Sequence, residues 1–141
     1  ILSDIATQDM SWKDWSEEQF DLARSIGRIL INPIIYAELA PAFTSRKSLD
    51  AWFDPGVFRW LPLPYSAGWR ASEAYAQYKR VGGQRLSPLP DFYIGAHAEV
   101  EGLTLVTRDV SRYRTYFPSV SLITPYRSRN SWGGNLAPAP V

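Results

Sequence analysis

The chain contains no cysteine and a single histidine, His97, among 141 residues. The first absence excludes a disulfide framework and any thiolate zinc site, and the second excludes a histidine-cluster metal centre. There is no apolar run long enough to span a bilayer, and Ile1 to Thr7 is too short and too polar for a signal peptide, so a cytoplasmic protein without membrane association is expected. Charge of one sign is also lacking. A formal net charge of +1 offers no global attraction to a polyanion, so a nucleic-acid partner has to be held by local groups or by a metal. Carboxylates are then the only plentiful metal ligands, and as oxygen donors they suit hard cations such as Mg2+ or Mn2+.

What is present is ordinary globular composition, 45% hydrophobic and 21% charged, in a length that suits one domain with one core. Local signals divide the chain into elements. Ser16 with Gln19 has capping-box spacing ahead of Phe20, Ala23 and Ile26, which predicts a helix over 16–26 stopped at Gly27. Arg28 to Ile31 reads as a short buried strand, and Asn32-Pro33 supplies a cap and a first-turn proline for a helix from Ile34 to Leu39. The proline- and aromatic-rich stretch from Pro41 to Tyr65 allows one short helix near Ser48 to Phe53. Ser66 is placed to cap the next helix, where Ala71, Ala74, Tyr75 and Tyr78 form a buried stripe ending at Gly82-Gly83.

Beyond it a helix opens at Asp91 and runs from Phe92 to Val100. An apolar strand follows over Leu103 to Val106, then a short helix over Ser111 to Tyr116 and a strand over Val120 to Ile123. This alternation predicts right-handed crossovers and a mainly parallel sheet with helices on both faces. Residues 1–125 are expected to form the domain. The segment 126–141 has too few apolar residues to pack and is expected to be a mobile or interface-forming tail.

Three acids are positioned to matter. Asp91 lies at a helix start, Asp109 follows a buried strand within Thr107-Arg108-Asp109, and Glu38 lies about one turn into the helix behind the first strand. In an open parallel sheet, groups at the carboxyl ends of strands converge on one cleft, and acids converging there suit a divalent metal. Two of the acids have a plainer reading. Asp91 and Asp109 could be helix caps or turn formers. Glu38 sits among Ile34, Ile35, Tyr36, Ala37 and Leu39, a setting that argues against a solvent-facing side chain. His97, nearly two turns from Asp91, reads as a packed core residue rather than a general base. Arg108, Arg112 and Arg114 read by default as solvated surface side chains, with phosphate contact as the functional alternative. The aromatics, 14% of the chain with six tryptophans, read as core or interface anchors, with base stacking as the alternative.

In order and spacing, NPIIYAEL, PDFYIGAHAEVEGLTLVTRD and YFPSVSLITP resemble the PIN-domain ribonucleases, and among them the VapC-type toxins of bacterial toxin–antitoxin pairs. The resemblance covers nearly the whole chain up to Pro125. It implies a PIN-like three-layer α/β/α sandwich with a mainly parallel central sheet. It further implies a Mg2+- or Mn2+-dependent endoribonuclease whose metal is held by Glu38, Asp91 and Asp109 and which cleaves RNA with a metal-activated water. Thr107 would orient a water or a carboxylate from behind. A homodimer, silenced by a cognate antitoxin protein, is the implied assembly.

One departure stands out. The family's first strand, which ends in Asp-x-Asn and supplies a metal ligand, would fall just ahead of Ile1, so that strand and its aspartate are missing from the sequence and are expected upstream in the natural protein. Ile1-Leu2-Ser3-Asp4 resembles the start of the helix that follows that strand, and Asp4 is expected to face solvent or to cap it. A catalytically silent PIN-like module that binds RNA or protein is the alternative.

Overall fold

In the computed structural model, which describes residues 1–86 and 89–125, helices and short strands alternate along the chain. The chain divides after Pro62 into two units, each with its own buried cluster. The expected tail, 126–141, lies outside the described residues.

The first unit comprises α1 (Leu2–Ala6), α2 (Lys13–Ile26), β1 (Ile29–Ile31), α3 (Pro33–Leu39), a 3-10 turn at Ala40–Ala42, α4 (Arg46–Trp52) and β2 (Phe58–Trp60). Strands β1 and β2 are parallel, with Ile29 opposite Phe58 and Ile31 opposite Trp60. Ile31, Leu39, Leu49, Phe53 and Phe58 form the core, with Phe53 edge-on to Phe58 at 5.0 Å between ring centroids. The predicted cap at Asn32 is present: its side-chain oxygen accepts the Ile35 N–H at 2.9 Å, and Pro33 occupies the first turn, where a missing N–H costs nothing. Helix α4 lies where a short helix was predicted, but it starts earlier, behind a capping box formed by Ser45 and Ser48.

Two local readings in this unit are corrected. Helix α2 begins at Lys13, so Ser16 and Gln19 are not a capping box; both are buried inside the helix. The chain is turned into α2 by Asp9, whose Oδ1 accepts the N–H groups of Ser11 and Trp12. Asp4, expected at the surface, is 2% exposed, and its Oδ2 accepts the Ser16 hydroxyl at 2.7 Å. A buried carboxylate needs such a partner, and Ser16 serves Asp4 rather than its own helix end.

The second unit comprises α5 (Tyr65–Arg80), α6 (Pro90–Glu101), β3 (Leu105–Val106), α7 (Val110–Tyr116) and β4 (Leu122–Ile123). Strands β3 and β4 are parallel, Leu105 opposite Leu122 and Val106 opposite Ile123, as the strand–helix–strand order requires. Ala67, Ala71 and Ala74 of α5 are fully buried with Phe92 and Ala96 of α6 and with Phe117. Gly95 gives the Phe117 ring its place, because a Cβ there would lie 2.4 Å from it. Arg70 lies 4.8 Å over the same ring, donates to the Tyr116 carbonyl at 2.6 Å and pairs with Glu99. Ser66 does not cap α5; the cap position is Pro64, with no side-chain bond. Gly102, at φ 64°, ends α6 in the left-handed conformation that glycine adopts without steric cost.

Candidate active site

After β3 the chain leaves the sheet through Thr107-Arg108-Asp109 and enters α7 at once. The Thr107 N–H extends the ladder to the Ile123 carbonyl at 3.0 Å, and its hydroxyl accepts the Asp109 N–H at 3.1 Å, which sets the turn. Thr107 therefore positions Asp109 through the backbone. Asp109 is the N-cap of α7: its Oδ1 accepts the Arg112 N–H at 3.2 Å and the Ser111 hydroxyl at 3.3 Å. The cap reading of Asp109 is thus correct, but it uses only one of the two oxygens. Oδ2 lies 3.7 Å from the guanidinium Nη1 of Arg112.

Asp91 is a different case. It is the second residue of α6, the cap position is Leu89, and no side chain caps that helix. Instead Asp91 Oδ2 accepts a hydrogen bond from the same Arg112 Nη1, and its Oδ1 accepts the Tyr113 hydroxyl at 3.3 Å. Capping therefore does not explain Asp91. Two carboxylates that lie 18 positions apart in sequence share one guanidinium nitrogen, and all three side chains are between 31% and 40% exposed, open to an incoming ligand.

Glu38 lies in α3 of the first unit and is exposed. This corrects the inference from its apolar neighbours: Ile35, Tyr36 and Leu39 turn toward the core cluster, and the 3.6-residue period carries Glu38 away from them. Neighbours in sequence are not neighbours in space on a helix. Among the described residues no group of three or more His, Cys, Asp or Glu side chains is assembled that could hold a metal ion. Asp91 and Asp109 are brought to one cation.

His97 is buried, 4% exposed, as its place on α6 suggested. Burial pushes its imidazole below the usual histidine value, with Glu101 opposing by its charge, so it is a neutral core side chain at physiological pH. Arg112 was read beside the acidic cleft as a solvated surface arginine with phosphate contact as the alternative; what sequence reasoning missed is that it binds the two acids, and its i,i+3 spacing from Asp109 was a signal for half of that pairing. Arg114 is exposed.

The donor set suits a hard cation. Magnesium keeps several waters and is commonly held by one or two carboxylates together with a substrate phosphate, and Asp91 and Asp109 already share a positive charge.

A PIN domain family model matches residues 8–118, a span that includes α3, Asp91 and Asp109. Among solved structures the chain is similar to VapBC2 from Rickettsia felis bound to a DNA fragment from their promoter, with a TM-score of 0.63 and 17% sequence identity. That similarity covers 86% of this chain and 90% of the other and, at this identity, is a likeness of fold. The comparison with curated proteins finds no match for this chain.

Proposed function

This chain belongs to the PIN-domain family and has its α/β fold, and from that premise we propose that it is a VapC-type toxin, an endoribonuclease that hydrolyses RNA phosphodiester bonds with Mg2+ or Mn2+. The observation that carries the reading is the convergence of Asp91 and Asp109 on one cationic nitrogen at the carboxyl end of β3. Asp91 and Asp109 would hold the metal, and Glu38 is the third ligand that the family resemblance implies. When bound, such a cation neutralises phosphate charge and makes a water more acidic.

The rest is the work of the chain itself. The Thr107 hydroxyl holds the Asp109 backbone in its turn, the helix cap fixes Asp109 Oδ1 and leaves Oδ2 to the Arg112 guanidinium, and Tyr113 fixes Asp91 through Oδ1. The partial exposure of the three side chains admits a polymeric substrate. An RNA substrate, a cognate antitoxin and a homodimer are the partners of this reading, and the fold likeness to VapBC2 supports the second of them. Residues 1–125 would form the PIN domain. No described helix is long and apolar enough to cross a membrane.

The test is cleavage of a panel of structured RNAs in Mg2+ or Mn2+. Asp91→Asn, Asp109→Asn and Glu38→Gln are each expected to lower the rate on the order of 100-fold or more, with circular dichroism unchanged. Cutting that persists in a chelator would overturn the reading. A catalytically silent module that binds RNA or protein is the second reading. RNA retained without cutting, in either metal, would support it.

A further inference from the structure

Arg112 is held at both ends by the same aspartate. Its N–H is bonded to Asp109 Oδ1, its guanidinium lies beside Asp109 Oδ2, and the same Nη1 donates to Asp91 Oδ2. It stands in the first turn of α7, the end of a helix where the dipole disfavours a cation. The two carboxylates are what offset that placement, and a side chain 34% exposed has a way out toward solvent. A guanidinium nitrogen and a divalent cation would claim the same two oxygens, Asp91 Oδ2 and Asp109 Oδ2, and two positive charges held at one pair of oxygens repel each other.

We propose that Arg112 is a resident competitor for the divalent cation: it keeps Asp91 and Asp109 together before the cation arrives and has to be withdrawn for the cation to be held. The inference rests on the proposed function only in taking these two acids as metal ligands. It makes the site self-neutralised at rest, so that cation affinity is set by an internal ion pair as well as by the ligands.

The probe is Mn2+ titrated calorimetrically into the full chain. Arg112→Gln and Arg112→Met, the second keeping an apolar stem, are expected to bind Mn2+ about tenfold more tightly than the parent, the factor by which a charge-assisted hydrogen bond opposes the ion. Without metal both variants melt lower, because two like charges lose their shared counter-ion. With saturating Mn2+ their gain in melting temperature exceeds that of the parent. In the parent itself, saturating Mg2+ is expected to shift the Arg112 guanidinium 15N–1H resonances from an ion-paired to a solvated signature, a readout that does not depend on a variant folding.

Mn2+ binding that is lost in Asp91→Asn/Asp109→Asn but unchanged or weaker in the Arg112 variants would overturn the competitor role and leave the proposed function standing. An Arg112 resonance that does not respond to Mg2+ would do the same. Failure of parent and variants alike to bind Mn2+ would overturn both.

Discussion

The two units each contain a strand that runs directly into a helix, and the two junctions differ in one atom of the capping side chain. In the first unit Asn32 follows β1 and accepts the Ile35 N–H; in the second Asp109 follows Thr107-Arg108 after β3 and accepts the Arg112 N–H. Both spend one oxygen on the helix end. Asn32 is 3% exposed, and a charge at that depth would be costly, so a neutral amide caps there. The Asp109 side chain is 40% exposed, and its second oxygen carries charge to a guanidinium. The same capping device is structural where it is buried and neutral, and becomes a candidate ligand where it is half-exposed and anionic.

The largest effect expected from exchanging the two devices is at Asn32. Asn32→Asp keeps the acceptor but buries a charge, and should lower unfolding free energy by roughly 3 kcal/mol in denaturant titrations. A loss below about 1 kcal/mol would mean that the first junction tolerates charge, and the contrast drawn above would fail. Next is Asp109→Ala, which removes the cap of α7 and should cost about 1 kcal/mol. Asp109→Asn keeps the cap acceptor and should cost only a few tenths of a kcal/mol while abolishing any Mn2+-induced gain in melting temperature. Equal losses for Ala and Asn would show that charge, not capping, stabilises this junction.

The finest adjustment concerns acid. Asn32 does not titrate, whereas the second unit carries His97 with its value depressed by burial. The folded chain keeps this imidazole neutral where the unfolded chain protonates it. Its contribution is therefore full above about pH 6.5 and lost progressively as pH falls below that value. Melting temperatures of His97→Gln between pH 7.5 and 5.5 should fall less steeply than those of the parent. Parallel slopes would remove the burial account of His97.

Much of the architecture was readable residue by residue. Asn32-Pro33 and the Ala71, Ala74 stripe act through bonds and contacts that span only a few positions, so their meaning travels with the local sequence. Ser16 was misread for the opposite reason: its spacing to Gln19 is that of a capping box, but its hydroxyl is claimed by Asp4, twelve residues earlier. Ser66 likewise has the right chemistry for a cap and the wrong position, one residue inside α5. At the candidate site the acids Asp91 and Asp109 could be singled out, because each begins a helix beside an apolar run. Their shared partner could be tied by spacing to Asp109 alone, because nothing in a basic stretch signals that an arginine also meets Asp91, 21 positions earlier.

By itself the sequence determined the strand–helix–strand order of β3, α7 and β4 with its parallel pairing, and the presence of an acid at the end of β3, since these follow from periodicity, capping chemistry and the length of the crossover; β2, in the proline- and aromatic-rich stretch, was not foreseen. Only the tertiary structure decided that Asp4 is buried, that Glu38 faces outward and that Arg112 lies between Asp91 and Asp109. Those outcomes depend on how a helix is rotated against its neighbours and on side chains 21 positions apart meeting through a few ångströms of space, and no spacing along the chain encodes that.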